Sequence, residues 1–220
     1  MERIERIESI RLSGMLPKVF ENEPVADSGV WRSDVEFRRG EHWLVEAASG
    51  GGKSSLCAYI YGTREDFLGS LRFNDVDVRN IPVAEWQRIR RSHIAYLPQE
   101  LALFPELTAL ENIRLKASLT GGVPDSRIDG WMKELGIDSR ADYPVGRMSI
   151  GQQQRVAIIR SLCQPFDFII LDEPVSHLDP DNNRIAARMI QREAERQGAG
   201  IITTSVGNRL LLDNLKTIRL

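Results

Sequence analysis

Ala47-Ala48-Ser49-Gly50-Gly51-Gly52-Lys53-Ser54-Ser55 is the stretch whose reading decides the fold. Trp43-Leu44-Val45-Glu46 before it reads as a buried strand, and Leu56-Cys57-Ala58-Tyr59-Ile60 after it as the start of a helix. Strand, glycine-rich loop, Lys-Ser and helix together are the setting of a phosphate-holding P-loop. Backbone without side chains at Gly50, Gly51 and Gly52 can wrap closely around phosphate oxygens, and the free N–H groups at a helix start point at an anion. In that setting Ser49 and Ser55 flank the cradle, Lys53 reaches the β- and γ-phosphates, and the Ser54 hydroxyl sits on Mg²⁺. The pattern asks for glycine at position 47. Ala47 is the smallest departure available, and a small local adjustment is expected there.

Further along, Phe168-Ile169-Ile170-Leu171 reads as a strand buried on both faces, delivering Asp172 and Glu173 at its C-terminal end. Ligands of α/β proteins bind at that end. Adjacent acids on a strand point in opposite directions, so Asp172 is expected to bind Mg²⁺ beside Ser54, through water, while Glu173 faces the attacking water as general base.

Composition narrows the class. The chain has 220 residues, 42% hydrophobic and 27% charged, which suits a globular protein with a sizeable core. A net charge of −2 argues against nucleic acid as the main partner. Cys57 and Cys163 stand far apart in apolar surroundings, as buried free thiols do in a reducing compartment. His42, His93 and His177 lack metal-ligand spacing. No apolar run is long enough to span a bilayer, and Met1-Glu2-Arg3-Ile4-Glu5-Arg6 has no signal-peptide core. The expected location is cytoplasmic.

Periodicity and breakers place the elements. Strands are expected at Ile4–Leu12, Val30–Phe37, Gly69–Asn74, Ile94–Leu97, Ile201–Thr204 and Thr217–Ile218, with a loop from Met15 to Ser28 broken by Pro17 and Pro24. Helices are expected at Pro82–Arg91, Thr108–Ala117, Asp125–Leu135, Gly151–Cys163 and Pro180–Arg196, with a short one beginning at Leu210–Leu212. Thr108 and Glu111 form a capping box. Strands and helices alternate in the core, which implies a largely parallel α/β sheet. The run from about Glu100 to Arg160 is helical only and reads as an insertion.

Met148-Ser149-Ile150-Gly151-Gln152-Gln153-Gln154-Arg155 resembles the signature motif of ATP-binding cassette (ABC) proteins, usually Leu-Ser-Gly-Gly-Gln followed by Gln-Arg. It lies just upstream of the Asp172-Glu173 strand, as in that family. Gln99 resembles the glutamine of the family's Q-loop, and Ser176-His177-Leu178-Asp179 its D-loop, usually Ser-Ala-Leu-Asp. The resemblance covers nearly the whole chain. It implies one ABC ATPase domain over residues 1–220, with a P-loop NTPase core at about 1–98 and 161–220, an N-terminal antiparallel β part and a helical signature subdomain at about 99–160.

The resemblance also implies a mechanism. Two such domains meet head to tail and sandwich two ATP molecules, each touching the P-loop of one subunit and Ser149, Gly151, Gln152 and Asp179 of the other. Gln99 senses the γ-phosphate and Mg²⁺ and relays that state to the helical insertion, which in transporters contacts a transmembrane permease subunit. That gives a peripheral place at the inner face of the membrane. The segment from Leu103 to Ile113 is similar to compact ATPases of lipoprotein-release and cell-division type. Ile150 and Ser205 also depart from the pattern. Ile150 replaces a signature glycine and is strained only if its φ is positive. Ser205 stands where the family has a histidine on the γ-phosphate; it is shorter and uncharged, so slow hydrolysis or dependence on a partner is expected. Phe20 is the candidate for stacking on adenine. A soluble ABC ATPase without a transporter, and a weakly active half of a heterodimeric pair, are the alternatives.

Overall fold

The computed structural model describes residues 3–23, 28–121 and 123–220. Met1, Glu2 and Pro24, used above for the N-terminus and the breakers, lie outside them. The first elements are β1 (Ser9–Pro17), β2 (Asp34–Arg38), β3 (His42–Glu46), α1 (Lys53–Tyr61), β4 (Phe67–Phe73) and β5 (Val76–Asp77). There follow α2 (Val83–Ser92), β6 (Ile94–Leu97), α3 (Ala109–Ser118), α4 (Asp125–Glu134) and α5 (Ile150–Leu162). The chain closes with β7 (Phe168–Asp172), α6 (Pro180–Gln197), β8 (Gly200–Ser205) and β9 (Leu215–Arg219).

Two sheets result. Five parallel strands run in the order β6-β7-β8-β3-β9, and four antiparallel strands in the order β2-β1-β4-β5. The middle of the parallel sheet is buried on both faces: every residue of β7 and β8 is buried, while the edge strand β9 exposes Lys216, Thr217 and Arg219. In β7, Phe168 and Ile170 enter the core shared with β1, β4 and α1, while Ile169 and Leu171 enter the core made with α5 and α6. Each such side chain contributes about 1.5–3 kcal/mol relative to exposure. Between residues 99 and 160 the chain forms α3, α4, α5 and 3₁₀ turns, with one isolated bridge from Thr108 to Pro144. The Thr108–Glu111 capping box is present on α3.

Several boundaries moved, each for a local reason. The first strand runs from Ser9 to Pro17, not from Ile4 to Leu12. Before it, the N–H groups of Ile4 and Ile7 are taken by the carboxylates of Glu85 (3.0 Å) and Asp167 (2.9 Å), so that stretch is tied down by side chains and not by a ladder. The strand passes the expected loop start because a bulge absorbs Gly14, whose φ is +56° and whose carbonyl lies too close to Gly69 for any side chain there. Val30 and Trp31 are buried but not in a strand, because Arg32 at φ +60° turns the chain before β2. The hairpin β4–β5, absent from the expectations, turns over Asn74 at φ +55° and Asp75. The helix expected from Leu210 is absent. The buried Asn183 donates to the carbonyl of Arg209 (2.9 Å) and accepts from the N–H of Leu211 (3.3 Å), satisfying backbone groups that a helical turn would have used.

Candidate functional site

The loop after β3 is positioned by the sheet. Glu46 is in register with Ser205 on β8, and the N–H of Ala47 donates to the Ser205 carbonyl (3.3 Å). The chain then turns, with Gly51 donating to the carbonyl of Ala48 (3.2 Å) and Gly50 and Gly52 at φ +82° and +91°. Helix α1 starts at Lys53, earlier than expected. The N–H groups of Gly50, Gly52, Lys53 and Ser54 find no backbone acceptor among the described residues. They form a donor set of the kind that phosphate oxygens fill. Lys53 is buried in the loop, its ammonium donating to the carbonyls of Ala47 (3.3 Å) and Ala48 (3.1 Å). Ser49, Gly50 and Ser54 are exposed, whereas the Ser55 hydroxyl accepts from Arg64 (2.9 Å), away from the cradle.

The adjustment expected for Ala47 is visible across the loop. A Cβ placed on Gly51 would lie 3.0 Å from the Ala47 methyl, so the methyl occupies the room that glycine at position 51 leaves. Phe20 and Trp31 pack beneath the helix start, 3.1 and 3.0 Å from where a Cβ on Gly52 would stand, and the Trp31 indole donates to the Gly51 carbonyl (3.1 Å).

Asp172 ends β7 and is buried; its carboxylate accepts from the Thr204 hydroxyl at 2.6 Å. Glu173 departs from the expected geometry. It lies past the strand with φ +50°, so the two acids diverge through a left-handed backbone step and not through the strand pleat. Such a conformation costs a non-glycine residue about 1–3 kcal/mol and persists only when its surroundings hold it. Here the Glu173 N–H donates to the Thr204 hydroxyl (3.1 Å) and its carbonyl accepts from the Gln154 amide (3.3 Å). The Glu173 carboxylate is 3.7 Å from the Lys53 ammonium, which brings loop and strand end together. Ser205 is buried one step beyond, with its hydroxyl accepting the Gly207 N–H (3.0 Å). Beneath α1, burial and then the charge of Asp172 push the Cys57 thiol up, and burial pushes Cys163 to about 12, so both expected thiols are inert.

At the N-terminus of α5, Ser149 and Gln152 cap one another: the Ser149 hydroxyl accepts the Gln152 N–H (3.3 Å) and the Gln152 carbonyl oxygen accepts the Ser149 N–H (3.0 Å). The Ser149 proton stays available for an outside acceptor. Ile150 is half exposed, in the first helical turn and without positive φ, so it is unstrained. Gly151 has a packing reason: a Cβ there would stand 2.9 Å from the His177 carbonyl. Asp179 caps α6, accepting from Asp181 and Asn182, and those N–H bonds hold its carboxyl below the ordinary range. Gln154, farther along α5, ties this helix to the segment after β7: its side-chain N–H group reaches the Glu173 carbonyl and the Ser176 hydroxyl (both 3.3 Å), and its side-chain oxygen accepts the His177 N–H (2.9 Å).

Gln99 lies exposed in the turn after β6. Leu101 and Ala102 follow at φ +62° and +48°, and Arg160 of α5 bonds the Ala102 carbonyl. A cavity of about 550 Å³ opens beside this turn, between Ser54, Tyr96, Pro98, Lys116 and Arg160.

With this geometry in place, the family comparison has a structural counterpart for every segment it matches. The family model described as ABC transporter matches residues 31–176. The chain belongs to the ABC transporter family. It is an ATP-binding and ATP-hydrolysing cassette. The ABC transporter ATP-binding protein YtrE of Bacillus subtilis is 31% identical over 167 residues, covering 74% of this chain and 72% of that one. The lipoprotein-releasing system ATP-binding protein LolD 1 of Caulobacter vibrioides is 30% identical, covering 84% and 80%. The macrolide export ATP-binding/permease protein MacB of Rhodopseudomonas palustris is 36% identical over 149 residues, and the chain spans 23% of its length. In fold, the dimeric structure of the bacterial cassette MJ0796 superposes with a TM-score of 0.77 at 22% identity, over 96% of this chain and 94% of that one.

Two residues of this ABC site escaped the sequence reading. Thr204 orients both carboxyl-bearing residues, yet on a buried strand it reads as a β-former. Gln154 is one of three consecutive glutamines, and only burial distinguishes it. The donor set suits a hard cation held largely by substrate phosphates. Asp172 has a carboxylate oxygen beyond the one Thr204 holds, the Ser54 hydroxyl is exposed, and among the described residues no cluster of three or more His, Cys, Asp or Glu forms a cage.

Proposed function

We propose that this cassette powers a membrane transporter by closing as a dimer around two Mg-ATP and opening after hydrolysis. The observation that carries the proposal is the meeting of Lys53, Asp172 and Glu173 at one end of the parallel sheet, with Lys53 3.7 Å from Glu173. Lys53 and the free N–H groups of Gly50, Gly52, Lys53 and Ser54 hold the phosphates, together with Ser49. Mg²⁺, bound by Ser54, Gln99 and Asp172, neutralises charge on the β- and γ-phosphates. Glu173 orients the attacking water and takes its proton. Ser149, Gly151 and Gln152 of the second subunit meet the γ-phosphate from the other side, with the free N–H groups of α5 supplying the donors.

Gln99 and the strained turn at Leu101–Ala102 join the nucleotide to the helices at 99–160, where a permease subunit is expected to bind. Phe104, Leu115 and Leu119 are exposed in this region. The dimeric relative and the transporter names of the homologues support this assignment, as does the absence of any helix long and apolar enough to cross a membrane among the described residues. Location at the inner membrane face follows from the permease. Ser205, buried, short and uncharged where a histidine is expected, favours a second reading as a weakly active half of a heterodimer. The test is ATP turnover beside Glu173→Gln, with size-exclusion chromatography in Mg-ATP. Turnover by the wild type and a trapped dimer of an inactive variant are expected. Absence of both sinks the proposal.

A further inference from the structure

Phosphoryl transfer spreads charge over the γ-phosphate oxygens, and donors placed there lower the barrier. In this chain Ser205 is a poor donor at that place. It is buried, short and uncharged, and its oxygen is held in place by the Gly207 N–H, which leaves its one proton on a short reach. The three histidines differ sharply in availability. His42 bonds the Asp213 carbonyl (3.2 Å), and His93 is buried between Arg88 (2.7 Å) and Asp167 (2.6 Å). His177 is exposed, and its ring is held in place.

The hold fixes its chemistry. Gln154 is buried; its carbonyl oxygen accepts the His177 N–H, and its amide donates to the Ser176 hydroxyl. The Ser176 hydroxyl lies 3.0 Å from Nδ1 of His177. The Ser176 oxygen accepts from Gln154 and keeps a second lone pair, so it either gives its proton to Nδ1 or takes the Nδ1 proton. Nε2 makes no hydrogen bond among the described residues; it is the ring nitrogen left for an outside partner, and it donates there when Ser176 donates to Nδ1.

Its position follows from Gly151. The His177 carbonyl packs 2.9 Å from where a Cβ on Gly151 would stand. The backbone of His177 therefore lies against the first turn of α5, the end that a phosphate of the second copy is proposed to meet. We propose that His177 of one copy donates to the γ-phosphate bound in the P-loop of a second copy, making the donation that Ser205 makes poorly within its own subunit. The inference rests on the dimer closure proposed above.

The experiment measures ATP turnover by the full chain as wild type, His177→Ala, His177→Gln, Ser205→His and His177→Ala/Ser205→His. Dimerisation in Mg-ATP is followed in the Glu173→Gln background with and without His177→Ala. Removing one such donor is expected to lower kcat about 100-fold, with KM for ATP changed less than about threefold. His177→Gln, which keeps a donor, retains more turnover than His177→Ala. Ser205→His restores His177→Ala to within about tenfold of wild type and accelerates the wild type much less. Both Glu173→Gln proteins are expected to form the dimer. Equal turnover of wild type and His177→Ala overturns the inference while the trapped dimer leaves the closure reading standing. A wild type that dimerises without turning over, or a Ser205→His effect of equal size in both backgrounds, also overturns it. Failure of Glu173→Gln to dimerise overturns both.

Discussion

Thr204→Val removes one hydroxyl at nearly constant volume, and the structure sets its cost. The hydroxyl donates to the buried Asp172 carboxylate at 2.6 Å and accepts the Glu173 N–H at 3.1 Å. A hydrogen bond to a charged group contributes about 1.5–3 kcal/mol and a neutral one about 0.5–1.5 kcal/mol, so the expected loss is about 2–4.5 kcal/mol. At this chain length that lowers the melting temperature by roughly 4–18 °C. Turnover should also fall, because Glu173 keeps its left-handed backbone only while both its N–H and its carbonyl are held. Thr203 is the internal control: it is buried next to Thr204, and its hydroxyl has no hydrogen-bond partner among the described residues. Thr203→Val should leave stability unchanged or raised, since it removes a polar group buried without a bond. Calorimetry and steady-state turnover on the two variants decide the matter. Equal melting temperatures for Thr203→Val and Thr204→Val would refute the reasoning, because the two changes differ only in the bonds assigned here.

Two further outcomes follow. Gly51→Ala should weaken ATP binding at least about tenfold in a titration, and Ala47→Gly on the same chain should recover most of it; independent, additive effects in that double-mutant cycle would sink the packing argument. Acid should destabilise the fold below about pH 4.5, because hydrogen bonds from Arg88 hold Glu85, and those from Thr108 hold Glu111, below their ordinary value of 4.5, as the α6 N–H groups hold Asp179 below 3.8. A lowered native pKa means stabilisation above the unfolded value that is lost as pH falls through the native one, so denaturation midpoints should be flat from pH 8 to 5 and then drop. A midpoint that rises on acidification contradicts the assignment.

Much of this was legible in the chain itself. Phe168–Leu171 is apolar at every position, which only a strand covered on both sides tolerates, and the glycine-rich loop with Lys53 could fit only between a strand and a helix. The gathering of Lys53, Asp172, Glu173 and Ser205 at one sheet end follows from strands that all run the same way. What stayed hidden was set by partners distant in sequence. The start of β1 depends on Glu85 and Asp167, the missing helix at Leu210 on Asn183, and the attitude of Glu173 on Thr204. Local propensity carries no trace of such pairings. Ser55 was grouped with the phosphate cradle by adjacency, and the structure turns its hydroxyl toward Arg64 instead.

Gln154 has one more implication, for motion. Three bonds from its side chain fasten the segment from Glu173 to His177 at both ends, and none can be kept if that segment lifts. The five residues should therefore open all together or not at all, and the N–H of His177, at the outer surface, should exchange with solvent as slowly as amides well inside the fold. An exposed loop built this way behaves as a latch with one pin.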